Sequence, residues 1–232
     1  MSETPERVRG IKRLPIFPLP LVLFPNELLP LHIFEPKYRK MFAYIEAGNN
    51  LFGISWQPED GPVTQMPQPG SIGCAAEVRE KETLEDGRSN VLTLGVARYV
   101  LLDYIDSDAP YAVGDVEFFV DDPGDEDERA SAAQKVFEKF RRMAAAAFKL
   151  AGNRGTPPEL ASADPEPLSF LVGAAMNLDA AAKYDMLTMR STYDRLIRID
   201  ETLADIVQRI ESQAEIASVS KTNGHGGRMP DL

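Results

Sequence analysis

Cysteine and histidine are scarce in this sequence, which has one cysteine, Cys74, and two histidines, His32 and His225, among 232 residues. A single thiol excludes an intramolecular disulfide, so we expect Cys74 to be buried and unreactive. One cysteine and two histidines cannot supply the ligand set of a structural zinc site. His32 alternates with apolar residues and is expected to be structural, whereas His225 lies in a glycine-rich tail that cannot hold a catalytic geometry. We therefore predict no metal and no cofactor.

The sequence also lacks the motifs of the common catalytic folds. It has no glycine-rich loop ending in Gly-Lys-Ser or Gly-Lys-Thr, no Gly-x-Ser-x-Gly and no His-Glu-x-x-His. A Gly-x-Gly-x-x-Gly string after a strand is missing as well. These absences argue against the common hydrolases and dehydrogenases, so we predict no catalytic residue and no enzymatic activity.

Long runs of basic or of apolar residues are missing too. The formal net charge of −11 repels a phosphate backbone, and the cluster of Lys139, Arg141 and Arg142 next to Glu138 is typical of a solvated helix face. No stretch approaches the roughly 20 apolar residues of a membrane span, and Met1 to Gly10 lacks the apolar segment of a signal peptide. We expect a cytoplasmic protein that binds neither nucleic acid nor membrane.

Proline and apolar residues dominate the region from 14 to 34. Its five prolines exclude a helix, because each removes a backbone donor. Two short strands fit better, since prolines are tolerated at strand starts and edges. A helix of about three turns is expected to begin at Glu35-Pro36 and to end at Gly48. The predicted strands of the first half are Leu14 to Phe17, Leu28 to Ile33, Leu51 to Trp56, Ile72 to Glu82, Asn90 to Ile105 and Tyr111 to Val120.

These elements predict an α+β fold that begins with a β-rich domain over residues 10–120. Six strands and one helix favour a small antiparallel pseudo-barrel, because closure protects strand edges. Six acidic residues among the eight from Asp121 to Glu128 indicate a solvated linker over residues 121–129. A helical bundle is expected over residues 130–217, with Asp179 capping one helix and Ser191 or Thr192 starting the last. A disordered tail is predicted for residues 218–232.

Trp56 precedes a loop rich in proline and glycine over residues 57–70, and Met66 lies within that loop. Exposed aromatic and methionine side chains suit adaptable apolar recognition, so we propose both residues as binding contacts. The alternative for Trp56 is packing inside the barrel, which the usual burial of tryptophan favours.

Several ordered motifs resemble one known family. The strings Leu14-Pro-Ile-Phe-Pro-Leu-Pro and Leu21-Val-Leu-Phe-Pro-Asn-Glu-Leu-Leu-Pro-Leu-His-Ile-Phe-Glu-Pro are similar to the opening of the amino-terminal domain of Lon proteases. Gly73-Cys-Ala-Ala-Glu-Val and Asn90-Val-Leu-Thr-Leu-Gly-Val-Ala-Arg-Tyr resemble two later strands of that family, and the second string is similar to its Val-x-Gly-x-x-Arg strand. Leu178-Asp179 and Arg195-Leu-Ile resemble the part that closes its helical bundle. The sequence departs from the family at Asn26, where glycine is usual.

The resemblance implies a free-standing recognition module with a PUA-like barrel, without the ATPase and peptidase of Lon. Such a module is expected to bind exposed apolar segments of unfolded polypeptides or a partner protein, with an undetermined oligomeric state. An alternative is a small-metabolite sensor or an uncharacterised enzyme with a carboxylate-lined pocket between barrel and bundle. A third hypothesis, RNA binding through the PUA-like barrel, is opposed by the acidic charge.

Overall fold

A computed structural model of the protein describes residues 6–58, 66–151 and 164–223, with side chains placed up to residue 214. The class is α+β, as predicted. After a short 3-10 turn at Glu6–Val8, the strands are β1 Arg13–Leu19, β2 Leu28–Ile33, β3 Leu51–Trp56, β4 Ile72–Thr83, β5 Ser89–Ile105 and β6 Val113–Phe118. The helices are α1 Pro36–Glu46, α2 Glu126–Leu150, α3 Pro165–Ala175, α4 Ala180–Thr188 and α5 Thr192–Asn223.

Local sequence patterns explain most of these bounds. Strands β2 and β3 have the predicted limits, whereas β6 is shorter than the predicted Tyr111 to Val120. Helix α1 starts with proline at its first turn, where the missing N–H has no helical partner to lose. Its buried side chains are Tyr38, Met41, Phe42 and Ile45, whose i, i+3, i+4, i+7 spacing places them on one helix face. Asp179 caps α4 by accepting a hydrogen bond from the Ala182 N–H at 2.7 Å, as predicted.

The six strands form one mixed sheet in the order β2-β5-β4-β3-β1-β6. The prediction of a purely antiparallel sheet is wrong, because β1 pairs with β3 in parallel from Ile16–Gly53 to Leu19–Trp56. A parallel pair needs a long crossover connection. Here the chain between the two strands contains β2 and α1, which provide that crossover.

Strand β5 also pairs with β6, through Tyr99 to Ile105. The pairings therefore run from β5 through β4, β3, β1 and β6 and return to β5. Strand β2 lies outside this circuit and pairs with the first part of β5. We refer to the five strands as the strand circuit.

Two hydrophobic clusters cover the two faces of these strands. One draws on all five strands of the circuit, including Leu14, Leu51 and Tyr99. The other gathers the buried stripe of α1 with Phe52 of β3 and neighbouring strand residues. The rings of Phe42 and Phe52 are 5.1 Å apart at their centroids. Because successive side chains of a strand point to opposite faces, adjacent residues such as Leu51 and Phe52 enter different clusters.

A tight turn before β2 rests against a glycine of β5. The Asn26 N–H donates to the Gly95 carbonyl at 2.8 Å, and the Gly95 N–H donates to the Glu27 carbonyl at 2.9 Å. Asn26 has φ +66°, a left-handed conformation that asparagine adopts more readily than most residues. The departure from the family's glycine at Asn26 is therefore compatible with the turn.

A buried arginine connects β5 to residues far along the chain. The Arg98 guanidinium forms an ion pair with Asp121 and donates to the carbonyls of Leu187 at 3.1 Å and Met189 at 2.6 Å. It lies 4.5 Å from the ring centroid of Phe119. The Asp121 carboxylate also accepts a hydrogen bond from the Thr192 hydroxyl. These contacts attach the C-terminal end of α4 to the sheet.

The segment predicted as a solvated linker is more ordered than expected. Asp121 is buried in the ion pair with Arg98 rather than exposed. Helix α2 already begins at Glu126, because the Asp125 carboxylate caps it by accepting from the Glu128 N–H at 2.9 Å. Acidic residues in the first turn of α2 also interact favourably with the positive end of the helix dipole.

The chain forms two compact units, one of Met1–Pro123 with Phe170–Thr192 and the other of Gly124–Ser169 with Tyr193–Leu232. Residues 170–192, which the sequence assigned to the bundle, thus belong to the same unit as the sheet. In the second unit, Lys139 pairs with Asp200 at 2.8 Å and Arg142 with Glu211 at 2.8 Å. The second unit buries the apolar residues Ala132, Ala133, Val136, Ala146, Leu168, Leu196, Ile199, Leu203 and Val207.

The last helix is longer than predicted. Helix α5 continues to Asn223, so residues 218–223 are helical rather than part of the predicted disordered tail. His225 and the glycines around it lie outside the described residues. Within the described ranges, each helix is either too short or too polar to cross a lipid bilayer.

Candidate functional site

An exposed apolar surface lies on one face of β2. Phe34 is 60% exposed and Leu28 is 57% exposed, whereas large apolar side chains are most often buried. Register places Leu28 opposite Leu94 and Pro30 opposite Leu92, and the ring of Phe34 stacks on His32 with centroids 6.3 Å apart. We call this set the outer β2 surface. Its residues are Leu28, Pro30, His32, Phe34, Leu92 and Leu94.

The opposite face of the same strands is buried against α1. Ile33 and Val91 belong to the cluster that contains the α1 stripe, and Leu29 and Leu31 pack against it. Alternation along β2 therefore uses one set of side chains for folding and leaves the other set exposed. Changes on the outer β2 surface should accordingly have small effects on stability.

Polar groups on β5 and β4 border this surface. The His32 Nδ1 and the Asn90 Oδ1 are 2.8 Å apart, and the Asn90 Nδ2 donates to the Glu82 carboxylate at 3.3 Å. Because the Asn90 amide nitrogen is oriented towards Glu82, its oxygen accepts from an Nδ1–H of His32. Glu80 lies on the same face, opposite Leu92. Together these residues line a shallow groove of about 460 Å³.

The structure places the two predicted binding residues outside the outer β2 surface. Trp56 ends β3, is half-buried, and packs on Tyr184 of α4 with ring centroids 4.9 Å apart. Met66 is also half-buried, and its carbonyl accepts from the Gln68 amide at 2.9 Å. Of the chain between them, residues 59–65 lie outside the described residues.

Sequence reasoning gave no binding role to Leu28 or Phe34. One signal for them was available, because Pro30 in the middle of a strand indicates a sheet edge. An edge strand is covered less completely than a central one, so its apolar residues are candidates for exposure. The face on which they lie follows only from the pairing with β5.

The groups able to carry covalent or metal chemistry are few in the described part of the chain. Residues 6–58, 66–151 and 164–223 bring together no set of three His, Cys, Asp or Glu side chains that could hold a metal ion. Glu77 is buried and pairs with Arg79 at 3.0 Å. Cys74 is buried in the cluster under α1, as the sequence indicated.

Burial controls the reactivity of Cys74. Removal from water raises the pKa of its thiol to about 12, because the thiolate loses its hydration. Since the folded pKa lies above the unfolded value, this group contributes stability below the unfolded pKa and loses it as pH rises towards about 12.

We therefore expect iodoacetamide at pH 8 to alkylate Cys74 at least about a hundredfold more slowly in the folded protein than in denaturant. Mass spectrometry of timed samples measures both rates, and a Cys74→Ala variant should lose part of the decline in stability above pH 9. Rapid alkylation of the native protein would show that the thiol is accessible.

Comparisons with known proteins agree on one family. A family model described as the ATP-dependent protease La (LON) substrate-binding domain matches residues 13–205. "Lon protease 1" of Hydrogenovibrio crunogenus is 24% identical over 204 residues, which is 85% of this chain and 24% of that protein. "Lon protease" of Methylocella silvestris is 28% identical over 196 residues, 82% of this chain and 23% of that protein. The chain thus spans about a quarter of the length of each relative.

Solved structures show the same fold. The Lon N-terminal domain protein from Xanthomonas campestris matches with a TM-score of 0.58 at 17% identity, covering 82% of this chain and 97% of that one. The N-terminal domain of the Mycobacterium avium complex Lon protease also gives 0.58 at 17% identity, over 85% and 98% of the two chains.

Proposed function

Because this chain belongs to the family of Lon substrate-binding domains, we propose that it is a non-catalytic recognition module for exposed apolar segments of unfolded polypeptides. The outer β2 surface is the observation that carries this proposal. It presents Leu28 and Phe34 to solvent on a strand whose other face is fully used by the core. Contiguous exposed apolar residues with a polar border are typical of protein-binding sites.

The proposed module is the β-rich domain of residues 10–120, acting in the cytoplasm. We propose that its strands form a PUA-like pseudo-barrel. The strand circuit supports this arrangement, since pairing that returns to its starting strand leaves few open edges. The net charge of −11 supports protein rather than nucleic acid as the partner.

The energetics of this surface favour weak, reversible binding. Completing the burial of a half-exposed leucine or phenylalanine contributes roughly 1 to 2 kcal/mol. A few such contacts must offset the loss of translational and rotational freedom on association. We therefore expect affinities in the micromolar range, which suits a module that samples many clients.

The Leu28→Ser/Phe34→Ser double variant tests this proposal. The probe is a fluorescently labelled polypeptide that has been reduced and alkylated so that it stays unfolded, titrated by anisotropy beside its native form. The wild-type domain should bind the unfolded form selectively, and the double variant should bind it at least about thirtyfold more weakly. Its melting temperature should stay close to wild type, because both side chains are exposed.

A matched control replaces two apolar residues of the same unit that are exposed elsewhere. Tyr44 is 65% exposed on α1 and Leu102 is 45% exposed on β5. The Tyr44→Ser/Leu102→Ser variant should keep wild-type affinity. Equal losses in both double variants, or no loss in either, would contradict the assignment to the outer β2 surface.

Trp56 and Met66 remain a second proposed contact. Both side chains are half-buried and keep part of their surface for a ligand. Met66→Ser tests this contact in the same titration without disturbing the packing of Trp56 on Tyr184. Unchanged affinity would remove Met66 from the site.

A further inference from the structure

Resting on the proposed function, we propose that the free edge of β2 binds a client segment as an added β-strand, and that it favours apolar segments flanked by basic residues. The juxtaposition behind this inference is a sheet edge with unpaired backbone groups, beside the outer β2 surface and near the carboxylates of Glu35, Glu80 and Glu82. Each part follows from the pairing of β2.

Strand β2 has one neighbour in the sheet. It pairs with β5 from Leu28–Leu94 to Ile33–Ser89, and no strand among the described residues pairs with its other edge. A free strand edge presents N–H and C=O groups in the spacing of an extended chain. Peptide binding by strand addition uses such an edge.

Backbone hydrogen bonding shows which residues face this edge. The Gly95 N–H donates to the Glu27 carbonyl, so Glu27 and Gly95 form a hydrogen-bonded pair one step before Leu28 and Leu94. Hydrogen-bonded and non-bonded pairs alternate in an antiparallel ladder. The residues that face β5 are Leu29, Leu31 and Ile33, and those that face the free edge are Leu28, Pro30 and His32.

The free edge is consistent with the position of its proline. Pro30 has no N–H, and prolines within sheets occur where that group would face away from the neighbouring strand. The edge therefore offers donors at Leu28 and His32 and acceptors at Leu28, Pro30 and His32. The side chains of these three residues belong to the outer β2 surface, so an added strand would meet backbone and apolar contacts together.

Charges around β2 select among extended segments. Glu35 follows the strand and its carboxylate is partly exposed, whereas the Glu27 carboxylate turns back to accept from the Phe24 N–H at 2.9 Å. Lys37 approaches Glu35 at 3.4 Å and offsets part of that charge. Glu80 and Glu82 on the same face of the sheet add to the negative potential. Basic residues flanking an apolar core would complement these groups.

The same charges disfavour a second copy of this chain as the occupant. Pairing of β2 with β2 of a second copy would bring together two sheets that each carry Glu80 and Glu82 on this face, and each chain carries a net charge of −11. Pro30 near the centre would also remove a donor from both strands. A client of opposite charge avoids the repulsion and keeps every donor of its own strand.

Two substitutions at one position test the backbone contact. His32→Ala removes the side chain and keeps the outward N–H, whereas His32→Pro removes both. The probe is a labelled peptide with the core Val-Thr-Val-Thr-Val and two lysines at each end. His32→Pro should bind it roughly three- to tenfold more weakly than His32→Ala, as expected for one lost hydrogen bond. Equal binding by two folded variants would overturn strand addition.

Modified peptides give a test that does not depend on folding of a variant. Strand addition uses every second amide of the peptide. One peptide is therefore N-methylated at its three valines and another at its two threonines. We expect one of the two to keep its affinity and the other to lose it. Similar affinities of the two methylated peptides would overturn the proposal. A glutamate-flanked peptide should bind roughly three- to tenfold more weakly than the lysine-flanked one, and equal affinities would overturn the charge preference.

These outcomes are separable from failure of the proposed function. If the unfolded polypeptide still depends on Leu28 and Phe34 while His32→Pro and His32→Ala bind alike, recognition stands and strand addition fails. If neither polypeptide nor peptide binds, the proposed function itself fails. Sedimentation velocity tests whether a second copy of the chain occupies the edge instead. A dimer that His32→Pro abolishes would assign the edge to the second copy and overturn the proposal.

Discussion

Replacing Arg98 with alanine is expected to lower the free energy of unfolding by about 3 to 5 kcal/mol. Arg98 is 2% exposed. Its guanidinium pairs with the Asp121 carboxylate and donates hydrogen bonds to the carbonyls of Leu187 and Met189. Its removal takes the guanidinium away from a buried carboxylate and takes this donor away from two carbonyls. Breaking a buried ion pair costs more than the pair itself contributes, because the remaining charge stays out of water.

Urea unfolding followed by the fluorescence of Trp56, the only tryptophan, measures this loss. Trp56 packs on Tyr184 of α4, so it also reports detachment of the helix whose C-terminal end Arg98 holds. A double-mutant cycle with Asp121→Asn should give a double variant less destabilised than the sum of the two single variants.

The control for Arg98 is an exposed ion pair in the same unit. Arg88 approaches Asp86 at 2.6 Å, and about half of each side chain is in contact with solvent. Arg88→Ala should therefore cost less than about 1 kcal/mol. A cost for Arg98→Ala as small as that of Arg88→Ala would contradict the role assigned to the buried network.

The network illustrates what the sequence could and could not indicate. A lone arginine within the apolar run of β5 indicates a buried cation that needs a partner. Its partner could not be identified from the sequence, because Asp121 is the first residue of an acidic segment that is typical of a solvated linker. Local composition describes the average of such a segment, whereas the burial of one carboxylate depends on a residue 23 positions away.

Elements with strong local signals were predictable. The bounds of β2 and β3, the buried stripe of α1 and the Asp179 cap follow from alternation, helical spacing and capping chemistry. The parallel pairing of β1 with β3 was not predictable in this way, because it depends on which distant strands become neighbours.

The candidate site likewise depends on pairing and packing with distant residues, which local sequence does not show. Leu28, Leu29 and Leu31 are chemically alike, and nothing local distinguishes the exposed Leu28 from its partly buried neighbours. Pairing with β5 and packing under α1 decide which face reaches solvent. Trp56 and Met66 were chosen for residue type alone, which carries no information about the elements that pack against them.

Replacing Gly95 with alanine is the second large effect that we expect. A Cβ atom built on Gly95 would lie 2.0 Å from the carbonyl oxygen of Phe24 and 2.9 Å from the carbonyl carbon of Phe24. Both are backbone atoms of the turn that hydrogen-bonds to Gly95, so no side chain can rotate away to relieve the clash. Overpacking costs typically 1 to 3 kcal/mol and more where backbone must move, so we expect a loss of at least about 3 kcal/mol.

The control is Gly48→Ala, where an added Cβ would meet its nearest atom, the Ile45 carbonyl oxygen, at an ordinary 3.6 Å. That variant should stay within about 0.5 kcal/mol of wild type in urea unfolding. Movement of the Phe24 turn would also displace β2, since Glu27 immediately precedes Leu28. Gly95→Ala should therefore weaken polypeptide binding in protein that is still folded, and a destabilised variant with wild-type affinity would show that the turn does not position the outer β2 surface.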